Sequence, residues 1–430
     1  MLDERISQWL TEIRVLDGGF GSECQKRSKL LIDGHKAWSS RLIKEDPNLV
    51  CDIHKSFLRA GCDVITTNTY QAAPRTLAEA MDVSTAEAKE LMHHAVRLAR
   101  RAIAAVNEED VAAVSTVGEP TVTRRLPVLV AGSLGSYGAC MADGSEYTGS
   151  YVEKMSMMEL VDFHLTRAET LLRAGVDLLA WETIPAVTEV SAICEVMRQL
   201  PGAVGWLSVA STDGQTTVSG DPLYQVAAEV QKCDQIFAVG VNCNIEFECI
   251  GQALANLNIG PECCSPGTDD GYHPPPNCGA NASDAVETKQ NKKILILYPN
   301  SGELWIPLPA RSKKGLSRWV WPKGRGPSTW IKEITKWAMR RGEALETSPC
   351  APYPRAQWVG GCCRVSPEQV KQLAEWMKPD EFVHFGMNDA EHAETQIDEP
   401  RQQNNGMKRG ISKDRQRRQN SHRSAKKLRH

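Results

Sequence analysis

The stretch LRAGVDLLAWET, residues 172–183, decides the fold, and LRAGCDVITTNTY, residues 58–70, nearly repeats it. In both, a helical pattern ends at a small Ala-Gly pair, a continuous apolar run follows, and the run stops at polar residues. Such a run, without polar alternation, is typical of a strand buried on both faces of a parallel sheet. The two stretches therefore predict repeated helix–strand units.

The same arrangement occurs eight times along the chain. The apolar runs begin at Ile13, Cys62, Leu126, Val176, Gly202, Phe237, Lys293 and Ala356. Helical patterns separate most of them, at residues 47–60, 84–106, 157–174, 187–200 and 222–233. Eight strand–helix units close a (β/α)8 TIM barrel, the α/β fold that we predict, and an open doubly wound sheet is the alternative.

The polar residues of these runs lie at their carboxyl ends, where barrels of this kind build their active sites. Cys243 ends the sixth run, and Cys362 and Cys363 end the eighth. Strands six and eight are neighbours but one in a closed ring, so the three thiols can converge. Three thiolates suit zinc and leave its fourth position open for chemistry. A buried, inert role is the alternative for any one cysteine.

Composition indicates a small-molecule enzyme of the cytoplasm. The chain has 430 residues, 14 cysteines and a formal net charge of −3, which gives no reason to expect a polyanion partner such as nucleic acid. No apolar stretch approaches the roughly 18 residues that span a bilayer. The charged start, MLDERISQWL, does not have the pattern of a signal peptide, so we expect reduced thiols in the cytoplasm.

The chain resembles the homocysteine S-methyltransferases across roughly residues 10–245, 293–305 and 356–377. Seven motifs carry the resemblance in the family's order: LDGGFGSE, TTNTYQAA, GSLGSYGACMADGSEYTGSY, WETIP, GVNCN, YPNSGELW and WVGGCCR. The resemblance implies a zinc-dependent barrel that methylates homocysteine to methionine. It also implies that zinc is held by Cys243, Cys362 and Cys363.

Further site residues follow from the resemblance. Glu146 is expected to receive the amino group of homocysteine, and Tyr70 to face a cationic methyl donor. The remaining candidates contribute to the pocket or support it: Asp17, Gly18, Gly19, Thr69 and Asn242. The motifs are more similar to the branch that uses S-methylmethionine or S-adenosylmethionine than to the betaine branch. Betaine as donor and selenocysteine as acceptor are the variants left open.

The chemistry of such a site can be derived from its groups. A thiol is a poor nucleophile until it ionises, and zinc can hold it as the thiolate at neutral pH. The donor must carry a positive sulfonium or ammonium centre so that its leaving group departs neutral. Transfer is then an in-line displacement that depends mainly on alignment. A cysteine-nucleophile hydrolase would need a histidine at a strand end, and the eight runs offer none.

Three segments depart from the barrel pattern. Residues 246–292 and 306–355 contain irregular insertions near the zinc-bearing loops, with a helix expected from Thr329 to Arg341. If the insertions disturb the site, the chain is an inactive barrel or a binding protein.

We place the barrel domain at residues 1–380 and a disordered basic tail at 381–430. Its last thirty residues hold eleven Lys or Arg against one acid, Asp414. A localisation or RNA-binding role is the alternative for this tail.

Overall fold

A computed structural model describes residues 4–117, 126–258, 293–306, 318–341 and 353–381. The predicted tail at 381–430 lies outside these ranges except for its first residue, so the domain boundary there stays a prediction. None of the helices in the described ranges combines the length and hydropathy that a membrane crossing requires.

Eight parallel strands form one sheet in the order β1-β10-β7-β6-β5-β4-β3-β2. A parallel bridge between Leu16 and Val64 joins β1 to β2 and closes the ring. The predicted (β/α)8 barrel is therefore confirmed, and each of the eight apolar runs contains one strand. The strands are β1 (Arg14–Val15), β2 (Val64–Thr66), β3 (Leu129–Gly135), β4 (Leu178–Ile184), β5 (Gly205–Val209), β6 (Ile236–Cys243), β7 (Ile294–Pro299) and β10 (Trp358–Val359).

Helices cover the outside of the ring. All five predicted helices are present, and the second runs on to Val117 rather than ending at residue 106. The helices are α1 (Glu4–Trp9), α2 (Phe20–Arg27), α3 (Leu42–Glu45), α4 (Pro47–Arg59), α5 (Pro74–Met81), α6 (Thr85–Val117), α7 (Tyr137–Met141), α8 (Met157–Ala174), α9 (Val187–Gln199), α10 (Leu223–Gln231), α11 (Ile250–Leu257), α12 (Pro327–Ile334) and α13 (Pro367–Met377).

The repeated LRAG-x-D phrase builds the same joint twice. Gly61 and Gly175 follow α4 and α8 with φ of +91° and +89°, a left-handed conformation that turns the chain toward the next strand. Asp63 then accepts a hydrogen bond from the Val15 backbone N–H at 2.8 Å. Asp177 accepts one from the Val130 N–H at 2.7 Å. The aspartates therefore tie each strand to its neighbour and help to fix the register of the ring.

The amino-terminal end of the barrel is closed by aromatic rings. Trp9 of α1 packs against Phe237 and Trp358, with ring centroids 5.7 and 6.4 Å apart. Trp206 and Phe237 each contact Trp358 from the barrel interior. Because this end is filled, the open end is the one where the strands finish, which is where the polar strand ends gather.

The two segments predicted to be irregular contain regular structure. The first begins with a single 3-10 turn, Phe247–Cys249, and α11, and its remainder from residue 259 to 292 is not described. The second contains α12 and one strand of an antiparallel hairpin formed by β8 (Leu304–Ile306) and β9 (Arg318–Val320). The helix expected from Thr329 to Arg341 is shorter than predicted. The residues that follow α12 instead form backbone hydrogen bonds with the segment that enters β10. The Met339 N–H, for example, donates to the Ala356 carbonyl at 3.0 Å.

Candidate active site

The sulfurs of Cys243, Cys362 and Cys363 lie within 4.8 Å of one another at the carboxyl ends of β6 and β10. The sulfurs of Cys243 and Cys363 are 3.8 Å apart. A tetrahedral ion with metal–sulfur bonds of about 2.3 Å has a sulfur–sulfur edge of about 3.8 Å, so this spacing fits a thiolate-bound metal. Within the described ranges, this is the one group of His, Cys, Asp or Glu residues close enough to hold a metal.

Glycines allow the loops around the cysteines to interlock. A side-chain carbon on Gly19 would lie 2.7 Å from the carbonyl oxygen of Cys362, and one on Gly18 would lie 2.6 Å from that of Val365. A carbon on Gly360 would lie 2.8 Å from the carbonyl of Asp17. The Gly-Gly pairs after β1 and before the cysteines are therefore required by backbone packing. Gly18 and Gly19 also line the cavity, and their role in substrate binding stays a prediction.

Two side chains contact the cysteine sulfurs. The Tyr147 hydroxyl lies 3.3 Å from the sulfur of Cys243, and the Asn242 amide nitrogen lies 4.0 Å from that of Cys362. The three thiols also form hydrogen bonds with one another. Hydrogen bonds from Cys362 and Cys363 lower the pKa of Cys243 well below its usual value, and the same bonds to Cys243 raise the pKa of both partners. The cluster thus favours one thiolate even without a metal.

A cavity of about 1150 Å³ opens above the cysteines and is lined by the loops that follow the barrel strands. Four buried carboxyl groups belong to its wall: Glu303, which pairs with Arg364, and three that form no ion pair among the described residues, Asp17, Glu146 and Glu182. Burial raises the pKa of Asp17 to about 8 and that of Glu182 to about 7, and it also raises the pKa of Glu146. A cation bound beside them would restore the ionised form, so the wall favours a positively charged ligand.

The three carboxyl groups differ in their hydrogen bonds. Asp17 accepts from the backbone N–H of Thr66 at 2.7 Å and from its hydroxyl at 3.0 Å. Glu182 accepts a short hydrogen bond from the Ser133 hydroxyl. Glu146 is 6% exposed, and its Oε2 atom has no hydrogen-bond partner among the described residues. A buried carboxylate oxygen without a partner is costly, so Glu146 is the group of the three that most needs a ligand.

Thr69 and Asn242 lie outside the cavity lining. The Thr69 hydroxyl donates to the Ser133 carbonyl at 2.8 Å, which ties the β2 loop to β3. The Asn242 side-chain oxygen accepts from the Thr183 backbone N–H at 2.9 Å, and its nitrogen donates to the Thr183 hydroxyl at 2.8 Å. Both residues therefore hold neighbouring strand ends together and do not face the cavity. Tyr70, by contrast, lines the cavity, and its contact with a methyl donor stays a prediction.

Sequence reasoning assigned no role to several residues that line the cavity. Glu182 was visible as a polar strand end, in WETIP, but nothing in the sequence separated it from its neighbours. Tyr147 directly follows Glu146 in a single 3-10 turn, Ser145–Tyr147, where periodicity carries no signal. Trp38 lies in the long loop after α2, with a φ of +41° that is rare for a bulky residue. Only the closed fold shows that these loops meet.

The described part of the second insertion forms a wall of the cavity. Leu304 and Trp319 come from the β8–β9 hairpin and the Lys323–Arg325 turn follows it. Arg325 lies over the ring of Phe247, with its guanidinium carbon 5.7 Å from the ring centroid, and forms an ion pair with Glu248. These contacts join the hairpin turn to the segment after β6. In its described residues, the hairpin borders the cavity and leaves it open.

Known proteins resemble this chain along most of its length. A family model described as homocysteine S-methyltransferase matches residues 14–377. Homocysteine S-methyltransferase 4 of Zea mays is 31% identical over 373 residues, covering 86% of this chain and 90% of that protein. Selenocysteine Se-methyltransferase of Brassica oleracea var. italica is 29% identical over 360 residues, covering 84% and 87%.

Solved structures agree with the sequence comparisons. The metallated form of the homocysteine methyltransferase MmuM from Escherichia coli has a TM-score of 0.60 and 29% sequence identity. The match covers 86% of this chain and 98% of that protein. The family model covers both cysteine-bearing loops and every barrel strand. The chain belongs to the homocysteine S-methyltransferase family, whose members are methyltransferases.

Proposed function

We propose that the protein transfers a methyl group from a sulfonium donor, S-methylmethionine or S-adenosylmethionine, to the thiol of L-homocysteine, forming methionine. The single observation that carries this is the group of three cysteine sulfurs within 4.8 Å at the base of an open cavity. Membership of the family supports the acceptor and the reaction class.

We assign zinc as the metal and Cys243, Cys362 and Cys363 as its ligands. Soft sulfur ligands favour zinc, and three of them leave one position for a substrate. Zinc, when bound, supplies the Lewis acidity that keeps a substrate thiol ionised near neutral pH. Cysteines bind metal only when reduced, which suits an enzyme of a reducing compartment such as the cytoplasm.

The transfer itself requires alignment rather than a general base at carbon. A lone pair of the homocysteine sulfur forms the new carbon–sulfur bond on the donor's methyl group. The electron pair of the broken bond stays with the donor sulfur, which leaves as a neutral thioether. The chain's part is to hold the two sulfurs in line across the methyl carbon and to exclude water from the cavity.

The cavity wall supports a cationic donor and an ammonium-bearing acceptor. We propose that Glu146 binds the homocysteine ammonium, because its Oε2 atom is buried and has no partner. Asp17 and Glu182 add negative charge when they ionise. Tyr70 and Trp38 line the same cavity, and aromatic faces attract onium groups. A neutral methyl donor would gain nothing from this arrangement.

An inactive barrel is the second candidate function, and the described residues give it less support. The hairpin from the second insertion lines the cavity. The close backbone approaches at Gly18, Gly19 and Gly360, around the cysteines, are present. Selenocysteine as acceptor has one specific argument, the similarity to a selenocysteine methyltransferase. A selenol ionises more readily than a thiol, so the same site could accept it.

Purified protein tests the proposal directly. Metal content is measured, and methionine formation from homocysteine is followed with S-methylmethionine, S-adenosylmethionine or betaine as donor and, separately, with selenocysteine as acceptor. We expect about one zinc and turnover with a sulfonium donor. Replacing Cys243, Cys362 or Cys363 by Ser should abolish turnover and metal binding, whereas Cys249→Ser, outside the cluster, should preserve both. Full activity in Cys362→Ser, or turnover with betaine alone, would refute the assignment.

A further inference from the structure

The turn that follows β7 forms hydrogen bonds with both cysteine-bearing loops, the one after β6 and the one after β10. The backbone N–H of Asn300 donates to the carbonyl of Cys243 at 2.8 Å. The next N–H, of Ser301, donates to the carbonyl of Cys363 at 3.0 Å. Two consecutive amides therefore bridge the ends of β6 and β10, which are not adjacent in the sheet. Together with β7, which pairs with both β6 and β10, this turn therefore helps to fix the spacing between the cysteine-bearing loops.

An ion pair fastens the same turn to the residue after Cys363. The guanidinium of Arg364 donates to Glu303 through Nε at 2.9 Å and through Nη2 at 3.2 Å, a two-point contact. The Ser301 hydroxyl donates to Glu303 Oε2 at 3.0 Å. The Glu303 side chain is 6% exposed and that of Arg364 is 33% exposed. Planar two-point pairs fix orientation as well as distance.

The backbone of Arg364 needs such support. Its φ is +68°, in the left-handed region that residues other than glycine rarely adopt. The Arg364 N–H donates to the Ser22 hydroxyl at 2.9 Å, which holds the backbone from the side of α2. Its side chain reaches in the opposite direction, to Glu303. The strained residue is thus held at both ends directly after the second cysteine of the pair.

We propose that Arg364 and Glu303 act as a positioning pair that sets the spacing of Cys362 and Cys363 relative to Cys243 before metal binds. This rests on the proposed metal site. Both carboxylate oxygens of Glu303 are occupied by Arg364, so Glu303 acts through the cysteine loops. Preorganised ligands bind metal more tightly because less conformational entropy is lost on binding, and outer partners of metal ligands typically contribute about 10–100-fold in affinity.

The test measures metal affinity on the full-length protein. Glu303→Gln keeps the shape and removes the charge, Arg364→Lys keeps the charge and removes the planar fork, and the double variant completes a cycle. Zinc affinity comes from competition with a chromophoric chelator, and cobalt(II) loading reports thiolate coordination by its absorption bands. The control is Glu381→Gln, which breaks buried ion pairs with Arg341 and Lys378, two residues outside the cavity lining.

We expect each single variant to weaken zinc binding by about tenfold or more. The double variant should be no weaker than the worse single variant, because the residues act as one unit. Cobalt bands should broaden or lose intensity, while Glu381→Gln keeps wild-type affinity and spectrum whatever its melting temperature. Wild-type affinity in Glu303→Gln and Arg364→Lys would overturn the positioning role. Failure of the wild-type protein to bind zinc through its cysteines would instead remove the proposed function.

Discussion

The hydroxyl of Tyr147 lies 3.3 Å from the sulfur of Cys243, and both residues line the same cavity. A hydroxyl donating to a thiolate withdraws charge from it and fixes its direction. Tyr147 precedes β4 and Cys243 ends β6, so the contact exists only in the closed barrel. It adds one more group that holds the cysteine sulfurs in place.

Tyr147→Phe should weaken zinc binding while leaving the fold intact. The variant removes one hydrogen bond to a ligand atom and keeps the ring, and such outer contacts contribute about tenfold or more to metal affinity. Chelator competition measures the effect, and Tyr224→Phe, at an exposed position on α10, is the control. Unchanged zinc affinity together with a raised homocysteine KM would assign the hydroxyl to the substrate instead.

Glu146→Gln should raise the homocysteine KM by about 10- to 100-fold. The substitution keeps the shape and removes a charge-assisted hydrogen bond worth about 1.5–3 kcal/mol, at about 1.4 kcal/mol per factor of ten. Zinc content should stay near wild type, because Glu146 is not proposed as a ligand. The KM of the methyl donor should change less.

The matched comparison for Glu146 is Glu182→Gln, another buried carboxyl group of the same cavity. Glu182 already accepts a hydrogen bond from Ser133, so its loss should affect the homocysteine KM less. A larger rise for Glu182→Gln than for Glu146→Gln would transfer the ammonium site to Glu182. Lost zinc with an unchanged homocysteine KM would make Glu146 a support of the metal.

The barrel and its cysteine cluster could be predicted because their signals are strong and local. Continuous apolar runs located all eight strands, and the strand-end rule brought Cys243 together with Cys362 and Cys363 across 120 residues. Side-chain direction is harder to predict in a polar strand end such as TTNTY. There Tyr70 lines the cavity, whereas Thr69 turns to the carbonyl of Ser133.

Loops and long-range closures could not be predicted. The β8–β9 hairpin lies among Gly, Pro and basic residues that read as irregular, because its order comes from tertiary packing. The helix predicted from Thr329 to Arg341 is present as α12, but its end was misplaced, because Met339 instead bonds to Ala356 in the chain entering β10. The Arg364–Glu303 pair joins two motifs that the sequence shows separately. Nothing in either motif indicates that the other is its partner.

Deleting residues 386–430 should leave turnover unchanged. Among the described residues, every one that lines the cavity lies between Leu16 and Cys363, and the last α-helix there ends at Met377. The family model also ends at residue 377. Steady-state kinetics of the truncated protein are compared with those of the full chain. A fall of kcat/KM by more than about tenfold, about 1.4 kcal/mol of transition-state stabilisation, would make the tail part of the enzyme.

A buried histidine makes the stability of the barrel depend on pH. His54 of α4 is fully buried, with its ring centroid 4.6 Å from that of Phe20, and neither ring nitrogen has a hydrogen-bond partner. Burial lowers the pKa of His54 from 6.5 to about 3. The folded protein therefore keeps the ring neutral at pH values where the unfolded chain binds a proton.

His54→Leu should reduce the loss of stability in mild acid. Because the folded pKa is the lower one, the wild-type protein is fully stabilised above pH 6.5 and loses stability as the pH falls toward 3. At pH 5 this loss is about 2 kcal/mol, from about 1.4 kcal/mol for each of about 1.5 pH units. Denaturant unfolding at pH 7.5 and pH 5 measures it, and the variant should lose about 2 kcal/mol less than wild type between the two. His93→Gln, on the surface of α6, should keep the wild-type difference. Equal pH dependence in His54→Leu and wild type would show that another group controls unfolding in acid.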